Sequence, residues 1–101
     1  MYGLIGRIQS TPGNRDLLAE ILIGGVGGMP GCLSYVVARD PDDADALWVT
    51  EVWADRERHA ASLSQPRVRE AIERGRPLIA AFTDRRETEP LGGHGLVPAG
   101  P

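Results

Sequence analysis

The sequence predicts an α+β domain of the split βαβ, or ferredoxin-like, plan: strand, helix, strand, strand, helix, strand, with an antiparallel sheet. Three observations carry this. The period changes sharply at Asp55, from β-branched and aromatic residues over Leu47 to Trp53 to the spacing of a helix. All five aromatics, Tyr2, Tyr35, Trp48, Trp53 and Phe82, fall in segments that read as strands, so the sheet should hold any pocket. Turn-forming clusters at Ser10 to Asn14 and Asp40 to Asp45 separate the periodic segments.

The elements follow in order. Residues 2 to 9 alternate, with Leu4, Gly6 and Ile8 on one face and Ile5, Arg7 and Gln9 on the other. Thr11 followed by Pro12 suits a helix N-cap with proline at the first helical position. Leu17, Leu18, Ile21 and Leu22 form the stripe of a helix lying on a sheet, which should end near Gly24 and Gly25. These glycines follow a helix and precede a strand, the reverse of a phosphate-binding loop, so a simple connection is expected.

Cys32 to Arg39 reads as the second strand. The acidic run Asp40 to Asp45 lacks the glycine at the sixth position of a calcium loop and reads as a solvated hairpin. The third strand ends at Trp53, and Asp55 is placed to cap the helix that follows. That helix runs to about Leu63, where Ser64-Gln65-Pro66 imposes a kink or a fresh start. Val68, Ala71, Ile72 and Gly75 share one helical face, and a last strand spans roughly Ala80 to Thr88. The domain is expected over 1–90, with a flexible Gly/Pro-rich tail over 91–101 that carries His94. Strands one and three are expected to be parallel neighbours at the centre, so that Arg7 and Glu51 meet on one face as an ion pair or a polar site element. The sheet face away from the helices also carries apolar residues, and a homodimer packed sheet on sheet would cover it.

Composition excludes several functions. At 101 residues the chain is one domain. A net charge of -3 argues against a nucleic-acid surface, and no apolar run approaches the ~20 residues of a membrane helix. All eleven basic residues are arginine, which removes lysine-dependent chemistry. One cysteine, Cys32, excludes an intrachain disulfide, and the opening strand-like residues lack the order of a signal peptide, so the cytoplasm is expected. Cys32, His59 and His94 do not have the spacing of a metal site.

Met29-Pro30-Gly31-Cys32-Leu33-Ser34-Tyr35, then Glu51-Val52-Trp53-Ala54-Asp55, His59 six residues after Trp53, and Leu63-Ser64-Gln65-Pro66 form an ordered set over residues 2 to 90. It resembles the antibiotic biosynthesis monooxygenase domain, in its quinol-monooxygenase-like branch. The resemblance implies a dimeric α+β barrel and oxidation of a quinol, anthrone or polyketide-like aromatic by molecular oxygen, with no flavin, haem or metal. An electron-rich aromatic, once deprotonated, can pass an electron to oxygen itself, so such a site needs an apolar pocket, a proton acceptor and exclusion of water.

By the same resemblance Trp53 would stack on or bound the substrate ring, and His59 would accept a phenolic proton near neutrality. Each also reads as structural, Trp53 as core and His59 as a surface residue. Tyr35, Arg7, Glu51, Phe82 and Asn14 complete the candidate site, Asn14 by analogy to a polar residue near the first helix, although it also serves as a turn residue. Leu63 stands where haem-degrading relatives carry their axial histidine. Two other readings share the pocket: a non-catalytic or ligand-sensing barrel, and an isomerase or cyclase that moves protons without oxygen.

Overall fold

The computed structural model describes residues 1–96; the last five residues of the expected tail lie outside them. The chain forms β1 (Tyr2–Ser10), α1 (Arg15–Val26), β2 (Cys32–Arg39), β3 (Ala46–Trp53), α2 (Arg56–Ser62), α3 (Pro66–Gly75) and, after a 3-10 turn over Arg76–Leu78, β4 (Ile79–Thr88). This is the ferredoxin-like order. Residues 89–96 contain no helix or strand. Among the described residues no helix is long and apolar enough to cross a membrane.

The four strands lie in the order β2-β3-β1-β4, and every neighbouring pair is antiparallel. The expected parallel pairing of β1 with β3 is therefore corrected. The α1 crossover returns the chain so that β2 runs with β1; the tight β2-β3 connection then reverses it, and β3 must oppose β1. Register follows: Leu4 faces Glu51, whereas Arg7 faces Trp48. Opposed residues share a sheet face, so Arg7 and Glu51 lie on opposite faces and never meet.

The start of α1 differs from expectation, whereas its end falls within one residue of the expected glycines. Gly13 takes a left-handed conformation, φ 79°, in a turn closed by the Asn14 amide on the Thr11 carbonyl, 3.1 Å. A right-handed helix cannot pass through that residue, so α1 starts at Arg15 and not behind Thr11. At its other end α1 continues through Gly24 and Gly25 to Val26. Gly25 is buried against α3, where an added Cβ would lie 2.2 Å from that of Ala71. Close helix contact keeps this glycine helical.

Asp55 caps α2 as expected, accepting from the Arg58 amide at 2.8 Å, and Pro66 opens α3 in place of kinking one long helix. The helices cover one face of the sheet. Ile8, Leu18, Leu47 and Val49 form one buried cluster there, and Tyr2, Leu4 and Trp53 a second. Burial of such side chains contributes about 1.5–3 kcal/mol each. The opposite face is open, with Val36 54% exposed.

Candidate active site

α3 lies against α1 and barely touches β4. A cleft of about 630 Å³ remains between α3 and the β1-β4 half of the sheet. This is within the ~300–1,000 Å³ typical of small-molecule sites. Leu4, Gly6 and Ile8 of β1, with Val49, form its floor; Leu22 and Val26 of α1 and Leu63, Val68 and Ile72 above form apolar walls of a cleft that stays open on one side. Phe82, 70% exposed, and Arg76 and Arg85 also border the cleft.

The polar groups come chiefly from β3 and α2. Alternation along β3 turns Val49, Glu51 and Trp53 toward the helices, and all three line the cleft. Trp53 has no exposed surface, and its indole Nε1 donates to Glu51 Oε1 at 3.0 Å. A ring with no exposed surface offers no free face for stacking, so Trp53 bounds the cleft and anchors Glu51. His59, half-buried on α2, stands 5.4 Å from the Trp53 ring, edge-on, and 5.4 Å from the Tyr2 ring.

Tyr35 lies directly opposite Glu51 on β2. Burial pushes its phenol well above the ordinary range, and charge at Glu51 and then Cys32 adds to this. The Cys32 thiol is raised for the same two leading reasons, burial and then Glu51. Both groups therefore stay protonated at neutral pH, in a corner where Glu51 supplies negative potential. Among the described residues no three His, Cys, Asp or Glu side chains converge as metal ligands would.

The structure thus brings together Glu51, Trp53, His59, Tyr35 and Phe82 of the expected residues. Arg7 and Asn14 do not line the cleft. Arg7 pairs on the open face with Asp40 at 3.1 Å and Asp43 at 3.0 Å, and also donates to Thr83 Oγ1. Asn14 donates to Thr11 Oγ1 at 2.8 Å, a local turn contact.

Sequence reasoning missed Gly6, Leu22, Val26, Arg76 and Arg85. Gly6 left a usable signal, because glycine within a strand often marks close approach by another group. An added Cβ there would meet only the Asp84 carbonyl, at 3.7 Å, so the glycine keeps the cleft floor open. Leu22 and Val26 extend the α1 stripe, and helical spacing cannot separate a wall from a core.

The model of the antibiotic biosynthesis monooxygenase family matches residues 1–74. A solved Chloroflexus aurantiacus J-10-fl protein, provisionally named an antibiotic biosynthesis monooxygenase, is 60% identical. It aligns with a TM-score of 0.93 over 95% of this chain and 98% of that one. Proteins of Deinococcus radiodurans (21% identity, TM-score 0.74, 99% and 100% covered) and Caulobacter crescentus CB15 (15%, 0.78, 90% and 90%) share the fold. No curated protein matches the chain.

Proposed function

The chain belongs to the antibiotic biosynthesis monooxygenase family, and from that premise we propose that it is a cytoplasmic monooxygenase of the quinol-oxidising branch. It uses molecular oxygen on a quinol, an anthrone or a polyketide-like aromatic. The observation that carries this reading is the apolar cleft of about 630 Å³ with two proton-accepting groups, Glu51 and His59, on its wall.

The chemistry asks for that combination. Removing a phenolic or enolic proton makes the ring electron-rich enough to react with oxygen, and apolar walls around a bound ring displace water from the reacting carbon. For an anthrone, one methylene and one O2 become one carbonyl and one water. The substrate supplies the electrons, so the reaction draws on no flavin, haem or metal. Tyr35 and Phe82 offer aromatic wall on either side of the ring.

We propose further that the protein works as a homodimer joined through the open sheet face, where exposed Val36, Ala38 and Thr50 lie together. Oxygen uptake with a panel of dihydroquinones and anthrones tests the activity, and sedimentation at micromolar concentration tests the assembly. Uptake above the spontaneous rate, proportional to protein, is the expected result. Tight binding of an aromatic with no uptake across the panel would replace this reading with that of a ligand-binding barrel.

A further inference from the structure

We propose that Glu51, held by the Trp53 indole, receives the substrate's hydroxyl and takes its proton, so that this wall of the cleft selects aromatics carrying a free O–H. The fate of the proton rests on the monooxygenase reading. The selection is a binding property and stands without it.

Glu51 Oε1 accepts from Trp53 Nε1 at 3.0 Å, and Trp53 is wholly buried, so one carboxylate oxygen is fixed to an immobile donor. The other oxygen, Oε2, has no hydrogen-bond partner among the described residues, and none of their cations forms a salt bridge with Glu51. Leu4 and Tyr35 stand opposite Glu51 on the neighbouring strands, Val49 precedes it on the same sheet face, and Glu51 lines the cleft. An ionised carboxylate only accepts hydrogen bonds, so an aromatic that displaces water from this wall must supply a donor or leave the oxygen unpaired at a cost. A hydroxyl supplies that donor; an ether oxygen at the same point sets lone pair against lone pair. His59, by contrast, lays its ring against Tyr2 and Trp53.

For an anthrone entering as its enol, the substrate O–H breaks and an O–H forms on Oε2. The electron pair stays with the substrate, whose activated ring carbon adds O2. The same proton then returns to the outer oxygen of the peroxide; the C–H bond of that ring carbon and the O–O bond break, the outer oxygen leaves as water with both protons, and the inner oxygen stays as the carbonyl. Trp53 touches no reacting atom in this sequence and is a positioning residue.

Calorimetric titration of the full chain with 1-naphthol and with 1-methoxynaphthalene tests the selection. The wild type should bind the naphthol about tenfold or more tightly than the ether. In Glu51→Gln, Trp53 Nε1 can only donate, so it holds the amide oxygen and turns the NH2 toward the cleft. The naphthol-to-ether ratio should then fall to about one. Trp53→Phe keeps the aromatic bulk and removes the N–H; it should lower the ratio part-way, whereas a merely structural loss would weaken both compounds alike and leave the ratio unmoved.

A wild-type ratio near one, or a ratio unchanged in Glu51→Gln, overturns the selection while the cleft reading survives. If neither compound binds the wild type, the aromatic cleft itself is wrong and this inference falls with it. Glu51→Gln should also slow oxygen uptake with an anthrone about a hundredfold. An unchanged rate overturns the proton role.

Discussion

Two indole-carboxylate pairs sit five residues apart on β3, one on each face of the sheet. Trp48 Nε1 donates to Asp40 Oδ2 at 3.0 Å on the open face, and Trp53 Nε1 donates to Glu51 Oε1 at 3.0 Å on the covered face. The local chemistry is the same, yet the consequences diverge. Asp40 also receives the Asp42 amide and the Arg7 guanidinium, which with Trp48 hold its carboxyl below the usual carboxylate range. Arg7 goes on to Asp43, so the open-face pair is one node of an ion-paired network that fastens the β2-β3 loop to β1. Glu51 has its indole and no cation among the described residues. A carboxylate becomes scaffold or site according to what else reaches it.

The largest way to break this comparison is to remove each indole. Trp53→Ala should cost about 3–5 kcal/mol of unfolding free energy, the range for truncating a buried aromatic. Trp48 is only half-buried, and Trp48→Ala should cost about 1–2 kcal/mol. Urea unfolding of both variants checks the ordering. Equal losses would mean that the two indoles are equivalent parts of the framework and that the faces do not differ as described.

The ordering of these two tryptophans was only partly legible in the sequence. Their parity on β3 assigns them to opposite faces, but parity cannot say which face the helices cover. Segments governed by local chemistry read clearly: β2 over Cys32–Arg39, the Asp55 cap, and the break at Pro66, where the sequence leaves a kink and a fresh start both open and the fresh start is found. The Arg7 pairing did not, because it depends on strand direction, and a parallel β1-β3 register puts Arg7 beside the wrong partner. The start of α1 turned on the left-handed Gly13, whose freedom is invisible until the turn is built. The cleft exists because α3 leans on α1 through the Gly25-Ala71 contact, a long-range packing choice that no window of residues reveals. Glu51, Trp53 and His59 could be named together from the family resemblance; the hydrogen bond that joins two of them could not.

Next in size is the open-face network, and pH separates it from the covered pair. Backbone hydrogen bonds from Asp42 and Asp45, and then the Arg7 guanidinium, hold the Asp40 and Asp43 carboxyls below the ordinary value of 3.8. A carboxyl with a lowered folded-state pKa contributes stability that is fully present above the unfolded value. That contribution is lost as pH falls through the folded value. Arg7→Met should therefore be destabilised most near neutrality, and its gap from the wild type should narrow as pH drops below 3.8. Stability curves from pH 7 to 2.5 measure the gap. A constant gap would remove the ion pairs from the account of this face and leave only packing.

The smallest effect concerns the helix that brings His59 over the covered face. α2 has only seven residues, too short to persist on propensity, and its first turn depends on the Asp55 carboxylate accepting from the Arg58 amide at 2.8 Å. Asp55→Ala should lower stability by about 1 kcal/mol, the usual cost of losing an N-cap. The loss should be local. Hydrogen exchange should quicken at α2 amides while those of β3, locked between β2 and β1, keep their protection. The acid-side stability change set by Asp40 and Asp43 should stay as in the wild type, because the cap touches nothing on the open face. If β3 loosens together with α2, then Trp53 and Glu51 depend on the helix above them, and the clamp proposed for the carboxylate is not a property of the strand alone.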